Sequence, residues 1–102
     1  MKIISVISRK INCEIEDAES YIKLALEYKE QDKDLADTFY DLSLQEVKHA
    51  DKLHSHVVDL IEDYKRENGE PPKEMLALYN YTHEIEIEKM KNVKILQGMY
   101  SK

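Results

Sequence analysis

The stretch Leu35-Ala-Asp-Thr-Phe-Tyr-Asp-Leu-Ser-Leu-Gln-Glu-Val-Lys-His-Ala-Asp-Lys-Leu53 decides the predicted fold of this chain. Apolar residues recur along it at steps of three and four, which is typical of one side of a helix. Glu46 and His49 fall within this apolar stripe, about 60° apart around the helix axis. A carboxylate and an imidazole are costly to bury unless each has a partner, so we expect both to be engaged. The stripe consists of Leu35, Phe39, Leu42, Leu53, Val57 and Leu60.

Two breaks divide the 102 residues into three predicted helices. The first break, residues 31–34, is a short polar link in which Asp32 or Asp34 can cap the next helix. The second, residues 68–72, is stronger, because Gly69 can take the left-handed backbone that ends a helix and the prolines can begin one. Short turns make neighbouring helices antiparallel, so we expect one all-α domain over residues 1–102. The predicted helices span about 9–30, 33–67 and 72–100.

The composition narrows the classes of function. The chain is 35% charged, carries a net charge of −6 and has no basic stripe for phosphates, so nucleic acid is not an expected partner. No segment has the length of a membrane span, so no membrane partner is expected. Residues 1–10 contain too short an apolar run for a signal peptide and no small-residue cleavage site, which predicts a cytoplasmic protein. The single cysteine, Cys13, excludes an internal disulfide.

The other two predicted helices also carry polar residues on their apolar faces. In the first helix Glu14 lies on the stripe, with Tyr21 two turns further on. In the third helix Glu86 stands among apolar neighbours, and His83 precedes it by one turn at the edge of the stripe. The stripe of the first helix contains Ile11, Ala18 and Ala25, and that of the third contains Met75, Tyr79, Met90, Val93 and Tyr100.

Counting along the hairpins predicts which of these groups meet. From the first turn, Glu14 lies about 17 residues back, and Glu46 and His49 lie about 14 and 17 forward, which places all three within a turn of one level at ~1.5 Å per residue. From the second turn, Glu86 is about 16 residues forward and therefore level with His54, roughly 7 Å away from the level of His49.

One chain therefore presents half the ligand set of a dinuclear carboxylate site. Helical bundles hold two metal ions with Glu and Glu-x-x-His, supplied twice over, and carboxylate with imidazole suits Fe²⁺ or Mn²⁺. A twofold homodimer would complete the set from two copies of Glu14, Glu46 and His49, with the metal ions near the axis. If the first helix is rotated, Glu16 or Glu19 takes the place of Glu14.

These residues resemble the rubrerythrin and ferritin-like family of dinuclear iron proteins. The similarity is clearest from Leu35-Ala-x-x-Phe39 into Glu46-x-x-His49-Ala50, which looks like the second helix of a rubrerythrin half. Glu14, followed seven residues later by Tyr21, is similar to the first helix of ferritins, in which a glutamate ligand precedes a tyrosine near the metals. The resemblance implies a ferritin-like bundle with a two-metal iron site, or manganese in its place, and ferroxidase or peroxide-scavenging activity.

The resemblance also implies roles for single residues and a state of assembly. Tyr21 would be the catalytic hydrogen-bond donor beside the metals. A second Glu-x-x-His, rubredoxin-type paired cysteines and a fourth helix are all absent. The chain is thus more similar to encapsulated ferritins, which build the site across a homodimer or within a larger homo-oligomer. Its third helix also resembles short ferritin-like proteins of phages and their hosts at Tyr79, Tyr81, His83 and Glu84.

Three alternatives remain open. A monomeric three-helix metal site could use His83 or Glu86 as further ligands. These two residues could instead form a second polar cluster with His54 and His56. In the third alternative the inward acids are simply paired, and the chain is a metal-free helical dimer with an adaptor or structural role, related to phage proteins.

Overall fold

The structure, a computed structural model, describes residues 2–102 as three α-helices with no strand among them. The helices are α1 (Lys2–Tyr28), α2 (Lys33–Asn68) and α3 (Lys73–Ser101), so the all-α, three-helix prediction is confirmed. The molecule is a rod of 55 × 20 × 17 Å in which α1 and α2 form a long hairpin and α3 packs more against α1 than against α2. In the described part of the chain, no helix is both long and apolar enough to cross a membrane.

The two turns use the residues that their sequence predicts. Asp32 caps α2, because its carboxylate accepts a hydrogen bond from the Leu35 N–H at 3.1 Å. At the other end Gly69 takes a positive φ of 82°, and its N–H donates to the Lys65 carbonyl at 2.9 Å. The Pro72 carbonyl then accepts the first backbone hydrogen bonds of α3. Both antiparallel connections are therefore fixed by local chemistry.

Helix α1 begins earlier than predicted, at Lys2 rather than near residue 9. Its added turns bring Ile4 and Ile7 onto the same face as Ile11, so the apolar period continues to the start of the helix. Ile4 is buried and belongs to the same core cluster as Ile61 near the end of α2. Packing against the long α2 thus stabilises these first turns of α1.

Small side chains form the contact between α1 and α2. Ala18 and Ala25 of α1, and Ala36 and Ala50 of α2, are at most 1% exposed. Small residues let two helix axes approach closely, and Ile15 and its neighbours fill the remaining space. Helix α2 is for this reason turned by about 70° from the orientation that the apolar stripe predicts. The residues it buries are Ala36, Ser43, Val47, Ala50, Val57 and Ile61.

The predicted buried stripe of α2 is therefore wrong in part. Leu35 is 39% exposed, and Phe39, Leu42, Leu53 and Leu60 are only half-buried. The larger side chains border the hairpin, since the smaller ones occupy the space between the helices. The stripe thus lies on the side of the hairpin that α3 leaves uncovered.

The end of α3 is joined firmly to the hairpin. Tyr100 is buried, stacks on Tyr40 at 4.7 Å between ring centroids and donates a hydrogen bond from its hydroxyl to Asp37. The Lys29 ammonium donates to the Tyr100 carbonyl at 2.7 Å. With these contacts α3 covers one side of the α1–α2 hairpin, and the other side is exposed to solvent. We call the uncovered side the open face; it carries Glu14, Tyr21, Phe39, Leu42, Glu46, His49 and Leu53.

Candidate metal centre

The structure brings Glu14, Glu46 and His49 together. One carboxylate oxygen from each acid and one imidazole nitrogen lie within 4.8 Å of one another. His49 Nδ1 is 3.7 Å from Glu14 Oε2 and 3.7 Å from Glu46 Oε2. Among residues 2–102 this is the one group in which three such donors converge. Counting residues along the first hairpin predicts that Glu14, Glu46 and His49 lie at the same height along the helix axes. Their side chains do meet there.

The position of this cluster follows from the helix faces that surround it. The side chains of Glu46, Glu14 and His49 are 17%, 25% and 57% exposed. Contacts between α2 and α3 involve Tyr40 and Ser43, and His49 lies about 120–180° around α2 from them. The cluster therefore lies on the open face, where an ion in solvent can reach it.

The two acids of the cluster have no lysine or arginine partner among residues 2–102. The negative charge of two neighbouring carboxylates favours a cation at this position.

The alternative acids of α1 have other partners. Glu19 pairs with Lys23 at 2.8 Å. Glu16 lies 3.7 Å from the Lys89 ammonium and accepts a hydrogen bond from the Asn12 amide at 3.2 Å. Glu14 is therefore the acid of α1 that contributes to the cluster, and the substitution by Glu16 or Glu19 that a rotated helix would require does not occur.

The donor set has dimensions that suit a transition-metal ion. Nitrogen and oxygen ligands bind such ions at ~2.1 Å, so two donors to one ion lie at most about 4 Å apart. The two distances of 3.7 Å from His49 Nδ1 lie within this limit, and all three donor atoms lie within 4.8 Å of one another. Mixed carboxylate and imidazole donors suit iron and manganese, and three protein donors leave further coordination positions open. The donor types of the three residues are thus compatible with a metal ion.

Tyr21 borders the cluster without touching it. Its half-buried ring stacks on Phe39 at 6.2 Å between centroids, with the ring planes 23° apart. It lies seven residues after Glu14, about 10 Å along the helix. No hydrogen bond joins Tyr21 to the three candidate ligands within the described chain. The catalytic role predicted for Tyr21 remains a prediction.

His83 and Glu86 lie in a different place from the open-face cluster. The His83 ring stacks on His54 at 4.7 Å and on Tyr79 at 5.6 Å. The Tyr79 hydroxyl is 3.5 Å from His54 Nε2. A cavity of about 360 Å³ is lined by His54, His83 and Glu86. Counting along the second hairpin predicts that Glu86 lies at the height of His54. We call His54, Tyr79, His83 and Glu86 the α3 polar cluster; His56 is exposed and outside it.

The α3 polar cluster contains a buried acid with an unpartnered oxygen, and its two imidazole rings do not converge on a position for a metal ion. Glu86 is 7% exposed, its Oε1 has no hydrogen-bond partner, and burial raises its pKa to about 7 against the opposing charge of Lys89. Burial, followed by the charge of His83, lowers the pKa of His54. The two imidazole planes are within 15° of parallel. Because their lone pairs lie in separate planes, the stacked rings cannot point at one ion, and the predicted ligand roles of His83 and Glu86 gain no geometric support.

A buried bridge that the sequence did not predict joins all three helices. The Gln97 amide donates to Ser43 Oγ at 2.9 Å, and Ser43 Oγ donates to the Ala18 carbonyl at 2.7 Å. Ser43 is fully buried and Gln97 is 8% exposed. The spacing of Ala36, Ser43 and Ala50 at seven residues is the signal that would have placed Ser43 in the contact. The bridge has a structural role and orients the helices that carry the candidate ligands.

Comparisons of this chain with protein-family models, with curated proteins and with solved structures give no significant match. The function considered below therefore rests on the geometry of the residues.

Proposed function

We propose that this chain is a ferritin-like metal-binding protein whose iron or manganese site is shared across a homodimer. The observation that carries the proposal is the convergence of Glu14, Glu46 and His49 on the side of the hairpin that α3 does not cover. These three residues would hold one half of the site. An identical half from a second copy would supply the remaining ligands.

The surroundings of the cluster support a shared site. Half-buried apolar side chains, including Phe39 and Leu53, flank the three polar residues on the open face. Apolar surface of this kind is covered favourably by a second copy, and a twofold contact sets the same patch of each chain against the other. The exposed side of His49 would then be enclosed, which places the acids in a drier environment that strengthens their attraction for a cation.

The chemistry proposed for the site is ferroxidase or peroxide-scavenging activity. When bound, two ferrous ions supply the two electrons that reduce oxygen or peroxide. The carboxylates of Glu14 and Glu46 offset the charge of neighbouring cations and so allow them to lie close together. Tyr21 and Phe39, stacked on each other about two turns away along the hairpin, are apolar neighbours that a second copy would cover together with the cluster. Tyr21 would act as the hydrogen-bond donor beside the bound ions, as the resemblance to ferritins implies.

Metal binding by matched variants tests the proposal. The protein is purified without chelator, analysed for metals, and titrated with Mn²⁺ by calorimetry. We expect the wild type to bind about one ion per chain, because each chain supplies half of a two-metal site. Glu46→Gln and His49→Ala should each weaken binding at least tenfold, since each removes a ligand. Addition of Fe²⁺ in air should produce ferric absorbance in the wild type only.

The controls are exposed residues of the same kind. Glu27→Gln and His56→Ala remove a carboxylate and an imidazole that lie outside the cluster, and both should bind metal like the wild type. A wild type that binds no metal would overturn the proposal and favour the metal-free adaptor or structural dimer. A monomer that retains one ion per chain would contradict the shared site.

A further inference from the structure

The outer side of α3 carries a second apolar surface that the hairpin does not cover. Leu78, Tyr81, Ile85, Ile95 and Met99 are 63%, 66%, 38%, 58% and 55% exposed. Contiguous exposed apolar side chains mark interaction surfaces, and a helix that is apolar on both faces is normally covered on both. We call the row formed by these five residues, Glu88 and Asn92 the α3 seam.

The seam has the spacing of a coiled coil. From Leu78 to Met99 its members follow one another at alternating steps of three and four residues, which spans three heptads. At ~1.5 Å per residue the seam runs about 32 Å along the rod. It lies about 120° around the helix from the inner face of α3, which carries the buried Val93 and Gln97. A second helix can therefore pack along the seam without displacing any contact of the chain itself.

We propose that the α3 seam binds the seam of a second copy of this chain, with the two helices antiparallel. Six of the seven seam residues are symmetric about residue 90: Ile85 and Ile95 each lie five positions from it, and Tyr81 and Met99 each lie nine, whereas Leu78 lies outside the symmetric part. A twofold axis at this point sets Ile85 against the partner's Ile95 and Tyr81 against the partner's Met99. Apolar residues thus meet apolar residues at these two pairs in each arm of the contact.

The two polar residues at the centre specify the orientation. Glu88 and Asn92 are exposed, and neither forms a side-chain hydrogen bond or ion pair within the described chain. In the antiparallel arrangement each Asn92 amide can donate to the partner's Glu88 carboxylate. A parallel arrangement would instead set Glu88 against the partner's Glu88, and like charges at a seam repel. The seam is therefore self-complementary in one direction only.

A cavity beside the seam is consistent with this occupant. It has a volume of about 780 Å³, lies between α1 and α3, and is lined by Leu78 and Ile85 of the seam as well as by Ile4 and Met75. A helix packed along the seam lies across the rim of this cavity. The second copy would therefore cover apolar surface that a single chain leaves in contact with water.

The first experiment measures association. Sedimentation equilibrium of the wild type is compared with that of Ile85→Glu/Ile95→Glu, which places charges in the centre of both arms. The dissociation constant of the seam contact should rise at least tenfold, while the helix content measured by circular dichroism should not change, because both side chains are exposed. Val58→Glu, at a residue 40% exposed on α2, is the control and should associate like the wild type. Equal association of the double variant and the wild type would overturn the proposal.

The second experiment measures orientation. In a Cys13→Ser background, Ile85→Cys and Ile95→Cys are made as separate proteins, mixed in equal amounts and oxidised. We expect disulfide dimers that contain one chain of each kind, and little dimer from either protein alone. Dimers of the Ile85→Cys protein with itself would indicate the parallel arrangement, and absence of any dimer would exclude the contact. Both results are independent of metal binding, since Glu14, Glu46 and His49 are unchanged.

Discussion

At the scale of single residues, Glu86 is the most consequential departure from an ordinary helical core. Its carboxyl group is buried, one oxygen has no partner, and its pKa is raised to about 7 by burial, with Lys89 as the opposing charge. The folded chain therefore holds a proton on Glu86 at pH values where the unfolded chain, with a pKa near 4.5, has lost it. A neutral acid at this position makes burial tolerable, whereas its ionised form is costly.

We therefore predict that ionisation of Glu86 makes stability fall as pH rises. The contribution of the neutral acid is fully present below about pH 4.5 and is lost as pH rises to about 7; the loss is on the order of 1–3 kcal/mol. Glu86→Gln keeps the shape of the neutral acid and should remove this dependence, so the variant should exceed the wild type in stability at pH 8 more than at pH 5. Urea denaturation at both pH values measures the difference.

The comparison isolates Glu86 from other groups nearby. His54 acts with the opposite sign, because its pKa is lowered in the folded chain and its contribution grows as pH rises. That effect is common to the wild type and Glu86→Gln and cancels in their difference. Glu84→Gln, an exposed change on the same helix, should be equally stable relative to the wild type at both pH values. If the difference in free energy of unfolding between Glu86→Gln and the wild type does not vary with pH, the prediction is contradicted.

At the scale of helices, the bridge from Gln97 through Ser43 to Ala18 sets how α3 lies on the hairpin. We predict that Ser43→Ala destabilises the fold by about 1–3 kcal/mol, because the buried Gln97 amide loses its acceptor. Adding Gln97→Leu should recover part of the loss, since removal of both partners leaves no unsatisfied group. Denaturation of the single and double variants measures this coupling.

A surface serine provides the control for the bridge. Ser55 donates to the Asp51 carbonyl within α2 and is exposed, so Ser55→Ala should change stability by less than about 0.5 kcal/mol. Additive losses in Ser43→Ala and Gln97→Leu, with no recovery in the double variant, would show that the bridge does not couple the helices.

The features predicted correctly from the sequence are those set by local chemistry. The Asp32 cap and the Gly69 stop required only neighbouring residues, and the common level of Glu14, Glu46 and His49 required only the helical rise. The rotation of α2 was not predictable from hydrophobicity, because the contact is made by small residues whereas the larger ones stay at its border. The stacking of His54 on His83 likewise depends on how α3 lies on the hairpin, which no periodicity encodes.

At the scale of the whole molecule, the two surfaces that we propose to pair with a second copy lie on different sides of the rod. The open face carries the candidate ligands on the hairpin, and the α3 seam lies on the outer side of the helix that covers the hairpin's other side. Each surface, as proposed, pairs with its own copy about a twofold axis. Two such contacts per chain generate either a closed tetramer or an extended row of chains, depending on the angle between the axes.

We predict that metal and the seam control separate steps of this assembly. With Mn²⁺ the wild type should exceed the mass of a dimer, and a chelator should reduce it to a seam dimer, because metal bound by two chains stabilises their contact. Ile85→Glu/Ile95→Glu with Mn²⁺ should form a dimer through the open face. A variant that carries Ile85→Glu/Ile95→Glu together with Glu46→Gln and His49→Ala should be a monomer of 12.0 kDa. Light scattering after gel filtration measures each mass, and an assembly whose mass ignores the chelator would show that metal does not link the chains.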